Sequence, residues 1–232
     1  MIYISYISII ISISNYLTEY LLCRTFNMFL SQVVVGIGSM ALHGTLHWFW
    51  QSADEVPMLW QNLTILFSLY NLHSKKSTRF SGFMLAITGI VLTMSYYLIR
   101  HVYGVFVVAF CLLMGINLSW TTYCVFKDRT CPEYPTRLWL YSLSMFPYLL
   151  IGGGFWVYEM HNCNELLPYY RVFNGVTLHI LWHIGAGTGA YLQILLLTAM
   201  RAQARGSVVE VHQLWGFIPT VKLVGPKVLL PR

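Results

Sequence analysis

Long apolar stretches, separated by short polar segments, run through almost the whole chain. Each stretch is close to the roughly 20 residues that a transmembrane helix needs. Because lipid offers no partner to backbone hydrogen-bonding groups, these stretches are expected to be helical. The pattern predicts about seven spans, near residues 2–22, 29–50, 56–72, 81–99, 102–126, 138–158 and 174–200. We therefore expect an all-α polytopic membrane protein whose helices enclose an intramembrane site.

The composition and the distribution of charge support this topology. The chain is 57% hydrophobic and only 9% charged, whereas an ordinary soluble domain has roughly 25% charged residues. Its net charge of +6 could indicate a nucleic-acid partner, but twelve of the 14 Lys and Arg residues fall on one side of a seven-span arrangement. This positive-inside bias places the C-terminus in the cytosol. We expect one domain over residues 1–232, with residues 201–232 as a cytosolic tail and no nucleic-acid partner.

Histidines inside the second and seventh predicted spans are the first candidates for a functional site. Ionisable residues are costly in hydrocarbon and mark functional sites by default. His179 and His183 are four residues apart and share one helix face, as the two histidines of a helical zinc site do. His43 supplies a third nitrogen if its helix faces the seventh. At 1.5 Å per residue, His179, His183 and His43 lie roughly 8, 14 and 10 Å below the outer ends of their predicted spans.

Two further side chains extend this set. Asp54 lies in the short outer link before the third predicted span, at the rim above the histidines, and Ser39 lies one turn from His43 on the same face. Three neutral imidazoles with one position left open are the usual catalytic form of zinc. Asp54 is the candidate base for a metal-bound water, and the Ser39 hydroxyl is the candidate oxyanion donor. The set predicts hydrolysis of an ester or amide, and the membrane setting predicts a lipid substrate.

Each of these residues also has an explanation without catalysis. An intramembrane histidine can be a hydrogen-bonded packing residue, and Ser39 can be a small residue that lets two helices approach. Asp54 and Glu55 can form an ordinary solvated loop pair. His47 makes a second H-x3-H pair with His43 that could compete for metal, and we interpret it as an interfacial residue.

The order of these residues resembles that of the alkaline ceramidases. The shared pattern is S-x3-H at Ser39 and His43, D-E-V-P-M at 54–58, H-x3-H at His179 and His183, G-x-G-x-Y-L at 187–192 and W-G-F-I-P at 215–219. The resemblance covers roughly residues 29–220. It implies a seven-helix enzyme of the endoplasmic reticulum or Golgi that cleaves ceramide to sphingosine and a fatty acid.

The same resemblance assigns a role to each candidate residue. It implies that zinc is bound by His43, His179 and His183, with Asp54 as the proton-transfer group and Ser39 as the oxyanion donor. Seven-helix hydrolases of the adiponectin-receptor or GPI-remodelling type, acting on another lipid, are one alternative. A non-catalytic membrane receptor or scaffold is the other.

Residues 1–28 depart from the family pattern. The alkaline ceramidases open with an acidic D-W-C-E-x-N-Y segment whose carboxylates bind calcium, whereas this chain has only Asn15, Tyr16 and Glu19 there. Calcium takes roughly six to eight oxygen ligands, so we do not predict a calcium site. The family cysteine that would pair with Cys163 is missing as well, and that thiol is expected to be unbridged.

Overall fold

The structure is a computed structural model that describes residues 23–72, 79–99, 103–127, 129–172, 177–204, 206–216 and 218–226. The α-helices in these residues are α1 (Cys23–Thr45), α2 (Trp48–Tyr70), α3 (Arg79–Leu98), α4 (Tyr103–Phe126), α5 (Tyr134–Met145), α6 (Phe155–Val172) and α7 (Leu178–Ala204). A π-helical segment, Phe146–Gly154, joins α5 to α6. Strands β1 (Ser207–Leu214) and β2 (Ile218–Pro226) follow α7.

Five of the described helical segments are long and apolar enough to cross a membrane. They are Thr25–Thr45, Phe80–Leu98, Tyr103–Phe126, Tyr134–Val172 and Leu178–Ala204. The chain thus has the helices of an integral membrane protein. The span predicted at 2–22 lies outside the described residues, and α2 is not among these five helices, so a total of seven spans stays a prediction.

Helix α7 lies at the centre of the bundle. Inside its apolar stretch 61% of the residues are buried, compared with 6% in α3 at the periphery. α7 packs against α1, α5, α6 and the π-helical segment. A side chain at Gly185 would collide with the backbone of Pro147 and Gly152, so this glycine permits the contact with the π-helical segment. That contact fixes the first turns of α7, which carry two of the candidate histidines.

Helices α1 and α2 form a tightly packed hairpin. The second predicted span was expected to run to residue 50, but α1 ends at Thr45 because Leu46 adopts a positive φ of 53°. His47 is extended and begins α2 as its N-cap. Further along the hairpin, the Gln61 side chain donates a hydrogen bond to that of Gln32. Such polar pairs between helices hold a bundle together in lipid.

The sixth predicted span, 138–158, is part of a longer helical run from Tyr134 to Val172. The run is π-helical from Phe146 to Gly154, and it is kinked at Asn162, where φ is −120°. Pro147 has no N–H for an α-helical hydrogen bond, which explains why the wider π geometry begins at this point. The predicted end of this span at residue 158 is therefore wrong.

The described part of the chain ends in a β-hairpin, although an all-α fold was predicted. Strands β1 and β2 pair antiparallel, with Leu214 opposite Ile218, and Trp215 and Gly216 both have positive φ in the turn. Three partly buried valines on the strands, Val209, Val211 and Val221, pack against a buried apolar cluster of the bundle. The Tyr191 hydroxyl also donates a hydrogen bond to the Pro219 carbonyl oxygen at 2.9 Å. The all-α prediction is therefore wrong for residues 207–226, where valines favour a strand.

Candidate active site

Three imidazole rings meet between the end of α1 and the start of α7. The Nε2 atoms of His43 and His183 are 3.0 Å apart, and the three ring centroids are 4.7 to 5.2 Å from one another. One ring nitrogen from each of His43, His179 and His183 lies within 4.8 Å of the other two. The structure therefore brings together the three residues that the sequence predicted as metal ligands.

The three rings lie nearer to the helix ends than the sequence predicted. His43 is in the last turn of α1, because this helix ends at Thr45. His179 is the second residue of α7, which begins at Leu178. At 1.5 Å per residue, His183 is about 7.5 Å from the start of α7 instead of the expected 14 Å or so. The cluster thus occupies the mouth of the bundle.

The donor set suits a catalytic zinc ion. With Zn–N bonds of about 2.0–2.1 Å, two nitrogens of a tetrahedral site are about 3.3 Å apart. The separations in this cluster, from 3.0 Å up to 4.8 Å, include that value. Three neutral imidazoles also leave a fourth position open for water or substrate. The residues present therefore fit the group that the sequence suggested.

His47, the competing histidine, has a different position. Its Nδ1 accepts a hydrogen bond from the backbone N–H of Phe49 at 3.2 Å, which caps the first turn of α2. A side-chain acceptor at the N-cap satisfies one of the free N–H groups at a helix start. The His47 ring therefore lies at the break between α1 and α2 and is not part of the group of three imidazoles.

Asp54 lies in the second turn of α2, and its prediction as a link residue is wrong because this helix already begins at Trp48. Its side chain is only 5% exposed, and its Oδ1 has no hydrogen-bond partner within the described part of the chain. Together with His179 and His183 it lines a cavity of about 170 Å³. A buried polar atom without a partner is costly, so this oxygen is available for a ligand or a proton.

Ser39 is buried between α1 and α7. Its Oγ is 3.3 Å from Nδ1 and 3.4 Å from Nε2 of His183. These nearly equal distances place the hydroxyl against the ring edge that carries both nitrogens. Ser39 therefore contacts one of the candidate ligands directly, and it is close enough to orient that ring.

Glu55, the neighbour of Asp54, is also buried and has two donors. Its Oε1 accepts from the Gln51 side-chain amide at 3.0 Å, and its Oε2 accepts from the Tyr96 hydroxyl at 2.6 Å. The alternative of a solvated Asp54–Glu55 loop pair is wrong, because the two side chains are 5% and 6% exposed. The sequence did not indicate these partners, since Tyr96 is 41 residues away.

Aromatic side chains form much of the remaining wall of the cavity. Trp156 and Trp182 stack with ring centroids 5.2 Å apart, and Phe110 meets Trp182 edge-on at 6.1 Å. The sequence did not indicate that these three residues line the site. Aromatic residues make up 16% of the chain, so no local signal distinguished these three. An apolar wall beside the imidazoles suits a substrate with hydrocarbon chains.

The helices and the site together define an integral membrane protein with a candidate hydrolytic metal centre among its helices. The family model Ceramidase matches residues 1–222. The chain is 26% identical over 199 residues to an alkaline ceramidase of Arabidopsis thaliana, covering 85% of this chain and 74% of that protein. It is 27% identical over 208 residues to alkaline ceramidase 3 of Mus musculus, covering 83% and 72%.

The chain belongs to the ceramidase family. The resemblance that the motifs indicated is therefore confirmed, as is the assignment to the amidohydrolases. The same match favours this family over the adiponectin-receptor and GPI-remodelling families that the sequence left as alternatives.

Proposed function

We propose that this protein hydrolyses the amide bond of ceramide within the membrane and releases sphingosine and a free fatty acid. The metal in this proposal is zinc, held by His43, His179 and His183. The observation that carries the proposal is the meeting of three imidazoles, two of which line a cavity together with Asp54. The Asp54 Oδ1 is buried and has no hydrogen-bond partner among the described residues. The names of the related proteins support ceramide as the substrate class.

The chain's own residues supply the proton transfers. A bound zinc ion polarises a carbonyl oxygen and brings the pKa of a bound water close to neutral. Asp54 takes a proton from the attacking water and then gives it to the leaving nitrogen. The C–N bond breaks, the water oxygen stays on the acyl carbon, and the nitrogen leaves as an amine. One water is consumed for each amide cleaved, and no oxidant or reductant is needed.

Ser39 stabilises the charge that develops on the carbonyl oxygen. Its hydroxyl lies within 3.4 Å of both ring nitrogens of His183, so it is next to the place where that oxygen is polarised. A fixed donor at an oxyanion typically contributes about 10²–10³-fold in kcat. The same contact keeps the His183 ring in position.

Localisation and calcium follow from the sequence. We propose an enzyme of the endoplasmic reticulum or Golgi, as the family resemblance implies. Its C-terminus is proposed to be cytosolic, because the Lys and Arg residues segregate to one side of a seven-span topology. The site then faces the lumenal half of the membrane. Calcium is not part of this proposal.

The test is hydrolysis by the purified chain. Protein in detergent micelles is incubated with ceramide, with phosphatidylcholine or with buffer alone, and released sphingosine and fatty acid are measured by mass spectrometry. We expect sphingosine from ceramide only, and about 10²-fold less or lower from Asp54→Asn because the general base is lost.

Glu210→Gln is the matched control, since this carboxylate lies in the exposed hairpin beside His212. It should release sphingosine at the wild-type rate. Equal rates for Asp54→Asn and the wild type would remove Asp54 from the mechanism. No sphingosine from well-folded wild-type protein would refute the proposed reaction.

A further inference from the structure

A second, larger cavity adjoins the candidate catalytic cavity at the neighbouring ends of α2, α3 and α4. Its volume is about 450 Å³, compared with about 170 Å³ for the catalytic cavity. The two cavities share four lining residues, Gln51, Glu55, Tyr103 and Phe106. Glu55 thus lies where the two spaces meet.

The small cavity is sufficient only for the reacting amide. Sites for drug-sized ligands have volumes of roughly 300–1,000 Å³, and ceramide, with two long chains, is larger than such ligands. The groups next to the amide must therefore lie in the adjoining space. In ceramide these groups include two hydroxyls, on the carbons directly before and after the carbon that bears the nitrogen.

Glu55 has the properties of a hydrogen-bond acceptor for such hydroxyls. It is the one carboxylate among the described residues that line the larger cavity. The Gln51 amide and the Tyr96 hydroxyl hold one carboxylate oxygen each. Each oxygen of a carboxylate has two acceptor positions, so both oxygens can accept a second hydrogen bond. Its two donors come from different helices, which fixes the direction of the carboxylate.

We infer that Glu55, held by Gln51 and Tyr96, binds the hydroxyl groups of the sphingoid base and selects ceramides over simple fatty amides. This inference rests on the proposed function, because that reaction places the amide in the neighbouring cavity. Glu55 is a specificity-determining residue, and Gln51 and Tyr96 are positioning residues that act through it. A site built to bind a substrate hydroxyl discriminates strongly against an analogue that lacks it.

The experiment compares Glu55→Gln and Tyr96→Phe with Tyr123→Phe as the matched control. Tyr123 is exposed on α4 and is not among the residues that line either cavity. The substrates are ceramide, a ceramide without the primary hydroxyl, and an N-alkyl fatty amide without either hydroxyl. For each combination of protein variant and substrate, kcat and KM are measured from the released amine. Binding is measured by displacement of a fluorescent ceramide.

Comparing the three substrates should distinguish a loss of hydroxyl recognition from a general loss of folded protein. A hydrogen bond to a charged group is worth about ten- to a hundredfold in binding, so Glu55→Gln should lower kcat/KM for ceramide by that factor, mainly through KM. The value for the N-alkyl amide should be almost unchanged. Tyr96→Phe should show a smaller loss of the same pattern, and Tyr123→Phe should resemble the wild type. Equal proportional losses on all three substrates would overturn the inference.

The binding measurement distinguishes this inference from the proposed reaction. Wild-type protein should bind ceramide more tightly than the N-alkyl amide, and Glu55→Gln should lose that preference. If the preference is lost as expected while no amine is ever released, the proposed reaction is wrong and the recognition stands. Equal displacement by all three lipids from the wild type would refute the recognition.

Discussion

Gly38 controls how closely α1 approaches α2 beside the candidate active site. A Cβ atom at this position would collide with the carbonyl group of Ala53 and would lie 2.7 Å from the backbone nitrogen of Asp54. Because both obstacles are backbone atoms of a helix, neither can rotate away. Gly38→Ala should therefore push α1 away from α2 beside the active site. Ser39 on α1 and Asp54 on α2, the proposed oxyanion donor and the proposed base, would then move apart.

The magnitude follows from two opposing terms. Overpacking of this kind costs about 1–3 kcal/mol, and replacing glycine by alanine inside a helix returns about 1 kcal/mol. We expect a net loss of up to about 2 kcal/mol in stability. The effect on catalysis should be larger, because a displacement of about 1 Å in an active site can cost about 10²-fold in rate.

Gly44→Ala is the matched control, since a Cβ atom at Gly44 would meet no atom of the described residues within 4 Å. The assay measures the thermal midpoint of each purified variant in detergent, together with its initial rate of sphingosine release. Gly38→Ala should lower both, whereas Gly44→Ala should leave the rate unchanged and the midpoint equal or slightly higher. Equal behaviour of the two variants would refute the role of close packing at Gly38.

Three further predictions concern the metal, the oxyanion donor and the hairpin. His183→Ala should abolish stoichiometric zinc measured by mass spectrometry, whereas His47→Ala should retain it; equal zinc in both would count against the proposed ligands. Ser39→Ala should lower kcat about 10²–10³-fold with KM for ceramide little changed, and a change confined to KM would argue against an oxyanion role. Tyr191→Phe removes the hydrogen bond to the Pro219 carbonyl, which is worth about 1 kcal/mol, so limited proteolysis of the hairpin should become faster. An unchanged cleavage rate would mean that the valine contacts alone hold the strands.

The three candidate ligands could be predicted from the sequence because their geometry is set by short-range periodicity. His179 and His183 had to share a face once α7 was helical. His43 required only that two helices be neighbours, and the structure brings its ring within 5.2 Å of theirs. The metal assignment itself stays a prediction, since it depends on the ion and not on the fold.

Helix ends and cavity walls could not be predicted in the same way. Leu46 gives no sequence signal for a break, yet its positive φ ends α1 five residues early and moves Asp54 into α2. The aromatic wall joins Phe110, Trp156 and Trp182 from three separate helices. Such contacts depend on how the helices rotate against each other, and an apolar residue facing lipid looks the same in sequence as one facing a cavity.

The adjacent acids Asp54 and Glu55 show how one helix serves two cavities. Successive residues of an α-helix point about 100° apart, so neighbouring carboxylates cannot both face the imidazoles in the same way. Asp54 has one oxygen without a hydrogen-bond partner among the described residues, whereas Glu55 is fixed by two donors. A free carboxylate suits proton transfer, and a fixed one suits recognition. Exchanging the two environments would impair both tasks, because a proton-transfer group needs an open position and a recognition group needs a rigid one.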